Sequence, residues 1–70
     1  MDINEIFGKR VREKRIELKL SQEKLANLAN IDRTYLPDIE NGKRNVSLVV
    51  AEKLAKALNV LLKDLLEDYG

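Results

Sequence analysis

Cysteine, histidine and tryptophan are absent from the 70 residues, and there is one proline, with three glycines and three aromatics (Phe7, Tyr35 and Tyr69). Without cysteine there is no disulfide, no thiolate nucleophile and no Cys-ligated zinc. Without histidine the usual general base and the commonest transition-metal ligand are missing too. Carboxylates remain, but no clustered acidic motif supports a nuclease site, so no enzyme activity, catalytic residue, metal or cofactor is expected. No apolar run approaches the roughly 18 residues of a membrane-spanning helix, and the opening MDINEIFGKR lacks the apolar core of a signal peptide. The expected setting is therefore the cytoplasm, with no membrane partner. A chain of this length is expected to form a single domain over residues 1–70, burying only about 60% of the surface its unfolded form exposes. So small and cross-link-free a core favours self-association.

What is present is a helix-forming composition led by Leu, Lys, Glu, Ala and Arg. The net charge is only +1, but its distribution is uneven: Lys9 to Lys24 hold seven basic residues against three acidic ones. That stretch is either a solvated face paired with glutamates or the footprint of an anionic partner. Apolar positions Ile3, Ile6, Phe7, Val11 and Ile16, followed by Leu18 and Leu20, recur at helical spacing and predict a first helix from Asn4 to Leu18. Ser21 caps a second helix with Leu25, Leu28 and Ala29 on one face, and Asn30 tolerates the left-handed backbone of its stop. Asp32 caps a third helix that ends at Asn41-Gly42. Ser47 caps a fourth, with Leu48, Ala51, Leu54, Ala55 and Leu58 inward and Asn59 at its end. Leu61 to Asp68 reads as a short fifth. Nothing alternates with period two, so the expected fold is all-α: a compact five-helix domain.

Two short helices joined by a three- or four-residue turn form a helix-turn-helix. Ala26 lets the two cross closely, and Leu36 and Ile39 anchor the third helix to the core. Arg33, Thr34, Pro37, Asp38 and Asn41 then face outward. Spacing alone also fits a packed hairpin with no ligand.

The runs Ser21-Gln22-Glu23-Lys24-Leu25-Ala26, Ile31, Tyr35-Leu36, Ile39-Glu40-Asn41-Gly42-Lys43-Arg44 and Leu54-Ala55-Lys56-Ala57-Leu58-Asn59-Val60 resemble the phage-repressor-like, Cro/XRE-type helix-turn-helix family. Asp32-Arg33-Thr34-Tyr35 and Gly42-Lys43-Arg44-Asn45 are closer still to the restriction–modification controller proteins. The resemblance implies a lambda-repressor-like fold whose third helix enters the major groove of double-stranded DNA. It implies base contacts by Arg33, which can pair bidentately with guanine, and by Thr34. Tyr35 is placed by the resemblance at the groove and by its helical position at the border of the core. Gln22, Lys43, Arg44 and Asn45 correspond to phosphate contacts. Arg15 and Glu40 correspond to an internal ion pair, expected to be structural.

Two residues depart from the family's pattern. Pro37 lies inside the third helix, where its ring is expected to kink the chain or loosen the first turn. Asp38 puts a carboxylate on the outward face, either to accept from a cytosine amine or to orient a neighbouring Arg, the latter being favoured by repulsion from phosphate. Val49, Val50, Leu61, Leu62, Leu65 and Leu66 exceed what the monomer core needs and suggest a dimer interface, with a C-terminal dimerisation helix over about 61–68; an overfilled core is the alternative. A two-fold dimer would present its recognition helices about 34–36 Å apart, on a roughly palindromic operator. With no ligand-binding domain expected, and no small-molecule ligand, the input is the chain's own concentration, as suits a controller of its own promoter. A generic phage or chromosomal repressor, and an antitoxin or adaptor that binds a protein, are the competing functions.

Overall fold

Each helix is bounded by chemistry visible in its flanking residues. In the computed structural model, which describes residues 2–67, helix α1 (Ile3–Glu17) follows Asp2, whose carboxylate accepts from the Glu5 N–H at 2.9 Å. Helix α2 (Gln22–Ala29) follows Ser21, whose hydroxyl oxygen accepts from the Lys24 N–H at 3.0 Å. Asp32 then caps a 3-10 turn, Arg33–Tyr35, which runs into α3 (Leu36–Glu40). Helix α4 (Leu48–Ala57) follows Ser47, which accepts from the Val50 N–H at 3.1 Å, and a second 3-10 turn spans Leu62–Leu65. Each cap satisfies a backbone donor that the first helical turn would otherwise leave unpaired.

The four helices also stop alike. A left-handed residue follows each one: Lys19 (φ 60°), Asn30 (56°), Gly42 (72°) and Asn59 (59°). The next residue's N–H reaches back to the last turn: Leu20 to the Arg15 carbonyl, Ile31 to Ala26 and Val60 to Ala55 at 3.0 Å, and Lys43 to Asp38 at 2.9 Å. These are Schellman stops. Leu20, Ile31 and Val60 thereby turn back onto the core.

α1 packs chiefly on α3 and α2 on α4, and the second 3-10 turn closes against α1 and α4. Val11, Leu25, Leu36, Leu54 and Leu58 are fully buried at the centre. Gly8 lets α1 touch α3: a Cβ there would stand 2.1 Å from the Ile39 carbonyl oxygen.

Several expectations are corrected. Among the described residues there are four α-helices, not five. The expected fifth helix is a single 3-10 turn, and its last residue, Asp68, lies outside the described residues. The third helix is not one rod from Asp32 but a 3-10 turn followed by five α-helical residues. Pro37 stands in the first turn of α3, where a missing N–H costs no hydrogen bond, and the irregularity falls in the turn before it. Leu65, expected at a dimer interface, is 1% exposed and belongs to the core. A 3-10 turn repeats every three residues, so Leu62 and Leu65 share its inner side while Leu61 and Leu66 point out. Leu48 and Leu28, expected inward, are exposed, as are Ile3 and Ile16 on α1 and Leu18 just after it.

Candidate nucleic-acid interface

The outward turn Arg33–Tyr35 is held up from beneath. Leu36 and Ile39 are buried against α1 and α2, each worth about 1.5–3 kcal/mol relative to exposure, so the segment has one orientation on the core. Arg33, Thr34, Tyr35 and Asp38 are all exposed. Tyr35, placed by sequence between groove and core, is 44% exposed.

Local hydrogen bonds limit what each side chain can offer. Asp32 Oδ1 accepts both the Thr34 N–H and the Thr34 hydroxyl at 2.9 Å. With its N–H and its hydroxyl hydrogen both committed, Thr34 can accept from a base amine or present its methyl group, but it cannot donate to a phosphate while capped. The backbone hydrogen bond from Thr34, followed by its hydroxyl, holds the Asp32 carboxyl below the usual carboxylate range. Arg33 Nη1 donates to a carboxylate oxygen of Glu23, the second residue of α2, and both side chains are solvent-exposed. The Asp38 carboxylate has no hydrogen-bond partner among the described residues, whereas Arg33 is bonded to Glu23.

The loop after α3 is joined to this turn. The Arg44 guanidinium lies 4.2 Å from the centre of the Tyr35 ring, a cation–π contact that places a positive charge beside the Arg33–Tyr35 turn. Lys43 is exposed beside it, its N–H donating to the Asp38 carbonyl. Asn45 is turned towards α1, its Oδ1 accepting from Asn4 Nδ2 at 2.7 Å. Its amide nitrogen keeps both donors.

Beneath the surface lies a three-residue network. Arg15 Nε and Nη2 donate to Glu40 Oε2 and Oε1 at 2.7 and 3.1 Å, and Arg15 Nη1 to the Leu20 carbonyl at 2.8 Å. Gln22 Nε2 donates to the same Glu40 Oε1 at 3.1 Å. One amide N–H of Gln22 is thus fixed inward, leaving the other for an outside acceptor. The basic stretch divides in the same way. Arg10 and Lys14 pair with Glu13 and Glu17 along α1, while Lys9, Arg12, Lys19 and Lys24 are exposed without ion-pair partners among the described residues.

The start of α2, the Arg33–Tyr35 turn and the following loop are therefore linked by side-chain contacts into one exposed polar surface. No group of three or more acidic side chains suited to a metal ion occurs among the described residues, and no helix among them is long and apolar enough to cross a membrane. Glu23 and Gly8 were missed by sequence reasoning. A glycine in mid-helix signals a close approach, whereas nothing in the spacing marks Glu23 as the partner of Arg33.

The helix-turn-helix family matches residues 11–65. Control protein C.BamHI of Bacillus amyloliquefaciens is 51% identical over 67 residues, 94% of this chain and 83% of that protein. The crystal structure of the restriction–modification controller protein C.AhdI from Aeromonas hydrophila superposes with a TM-score of 0.85 at 48% identity, covering 89% of this chain and 94% of that one. SinR, a master regulator for biofilm formation solved in complex with DNA, superposes with a TM-score of 0.81 at 34% identity, covering 87% and 98% of the two chains.

Proposed function

Because the chain belongs to the helix-turn-helix family and is a DNA-binding transcriptional regulator of the restriction–modification controller type, not an enzyme, we propose that it acts as a cytoplasmic homodimer on a roughly palindromic operator and controls its own promoter. The observation that carries the reading is the exposed Arg33–Tyr35 turn seated on buried Leu36 and Ile39, with Arg44 stacked beside it. Arg33 reads guanine O6 and N7, a contact worth about 1–3 kcal/mol of discrimination, and Thr34 offers its methyl to a neighbouring base. Tyr35 and Asp38 complete the base-facing surface. The outer N–H of Gln22, with Lys43, Arg44 and the Asn45 amide, holds phosphates and fixes the register.

Leftover apolar surface supports the dimer. Leu48 is 78% exposed, Val49 and Leu61 are exposed as well, and Leu66 lines one cleft with Leu48. Ile3, Phe7, Leu48, Leu62 and Leu66, with Asn4 as the polar member, line a largely apolar cleft between α1, α4 and the second 3-10 turn. Val50 and Leu62 already rest partly on the core and take part only through their outer edges. Two copies joined here bring two recognition turns to one face of the duplex, and assembly makes occupancy depend on the chain's own concentration.

The test is titration of the full chain against DNA from upstream of its own gene and against a scrambled duplex. Arg33→Ala should keep a weak, salt-sensitive binding while losing the preference between the two; an unchanged preference overturns the assignment. Leu61→Asp with Leu66→Asp should sediment as a monomer and bind weakly, and a persistent dimer moves the interface elsewhere.

A further inference from the structure

The carboxylate of Glu23, in the first turn of α2, favours the helix N-terminus, a duty any acidic residue in that turn would meet without touching α3 or the turn before it. Glu23 is exposed, lies outside the core, and is not the residue that Ser21 caps. Beside a phosphate backbone it repels the ligand, so its placement is unfavourable for affinity alone. Among the described residues, the hydrogen bond its side chain makes is the one it accepts from Arg33 Nη1.

We infer that Glu23 is a specificity-determining positioning residue, which holds one edge of the Arg33 guanidinium so that the remaining edge meets a guanine rather than a phosphate. The inference rests on the reading that Arg33 contacts a base. A guanidinium has five N–H donors in a rigid plane, and guanine O6 and N7 take two of them. With one Nη1 hydrogen on Glu23, two parallel donors remain along the free edge. The plane is set before DNA arrives, so less side-chain freedom is lost on binding. An unheld arginine on an exposed turn swings to the nearest phosphate, an attraction that carries no sequence information. Glu23 therefore exchanges general affinity for discrimination.

That exchange gives two effects of opposite sign, which a merely structural role does not produce. The experiment uses the full chain as wild type, Glu23→Gln, Glu23→Asp, Arg33→Ala and the Glu23→Gln/Arg33→Ala double variant. Each is titrated by fluorescence anisotropy against upstream duplex, against that duplex with single G·C pairs replaced, and against scrambled duplex, at two salt concentrations. Glu23→Gln should bind scrambled DNA about two- to fivefold more tightly, because one negative charge near the backbone is gone. At the single base pair to which Arg33→Ala becomes indifferent, it should lose about three- to tenfold of its discrimination. Glu23→Asp keeps the charge at shorter reach and should fall between. In the Arg33→Ala background Glu23→Gln should change discrimination no further. The inference is overturned if Arg33→Ala loses discrimination while Glu23→Gln retains it. If Arg33→Ala itself discriminates as well as wild type, the base-reading role of Arg33 fails and this inference fails with it.

Discussion

Replacing Gly8 with alanine tests how α3 is held. In an isolated helix the change is favourable by about 1 kcal/mol, because glycine is the poorer helix former. The packing reverses that sign. A Cβ on Gly8 meets the Ile39 carbonyl oxygen at 2.1 Å and the Glu40 carbonyl oxygen at 2.9 Å. Unstrained contacts between such atoms begin near about 3.4 Å, so α1 and α3 must part by roughly 1 Å. Both obstacles are backbone atoms with no rotamer to escape into. Parting the helices also stretches the 2.7 Å Arg15–Glu40 ion pair, which bridges the same two elements. Overpacking of this kind costs about 1–3 kcal/mol, and a weakened buried pair adds a share of the roughly 3–5 kcal/mol that breaking it outright would cost. After subtracting the helical gain, Gly8→Ala should lose about 2–4 kcal/mol. A chain of this size has on the order of 4–10 kcal/mol in total, so the loss corresponds to a Tm lower by about 10–25 °C. Thermal unfolding followed by circular dichroism measures it, with Lys9→Ala as the control for helix propensity. An alanine variant as stable as wild type, or more so, would refute the reasoning.

Glu40→Ala strands the Arg15 guanidinium and one Gln22 donor in a nearly dry site and should cost about 3–5 kcal/mol by denaturant unfolding, whereas Arg15→Met with Glu40→Leu should recover most of it. A loss under about 1 kcal/mol for Glu40→Ala would contradict the burial of the pair. Lys19→Gly should raise stability by about 0.5–1 kcal/mol, since Lys19 holds a left-handed φ of 60° that glycine adopts without steric cost; any loss of stability counts against the strain argument. Asp32 gives a pH dependence. Its carboxyl is depressed below 3.8 when folded, so the stability it contributes is fully present above 3.8 and disappears as pH falls below that value. The stability difference between wild type and Asp32→Ala should therefore shrink between neutral pH and pH of about 3, and a difference that stays constant would remove the charge from the cap.

Local chemistry was legible in the sequence and packing direction less so. Ser21, Asp32 and Ser47 cap as their side chains dictate, Asn30 adopts the left-handed stop expected of it, and Asn59, expected only to end the fourth helix, is left-handed too. Leu36 and Ile39 anchor the Arg33–Glu40 segment because their spacing leaves no other inward pair. Lys19 was not recognisable as a left-handed stop, because lysine has no side-chain preference for that backbone. The split of the recognition segment follows from a competition that spacing does not resolve. Asp32 draws the Thr34 N–H, Tyr35 N–H bonds back three residues to Asp32, and Pro37 has no N–H with which to carry an α-type bond back to Arg33. Leu28 and Leu48 show the limit of apolar periodicity in short helices: at eight and ten residues, one position of rotation moves a leucine from core to solvent. At the interface, residue types and order were readable, but the ties between them were not. Glu23 on Arg33, Arg44 on Tyr35, Gln22 on Glu40 and Asn4 on Asn45 each join separate elements.

The most direct test of the account is selection of binding sites from a random double-stranded DNA pool by the full chain. An inverted repeat with G·C pairs at matching positions of both half-sites, their centres about one helical turn apart or a multiple of it, should be enriched, and those positions should be lost when Arg33→Ala is used instead. Enrichment of a single asymmetric site, or the same repeat selected by the Arg33→Ala variant, would contradict it.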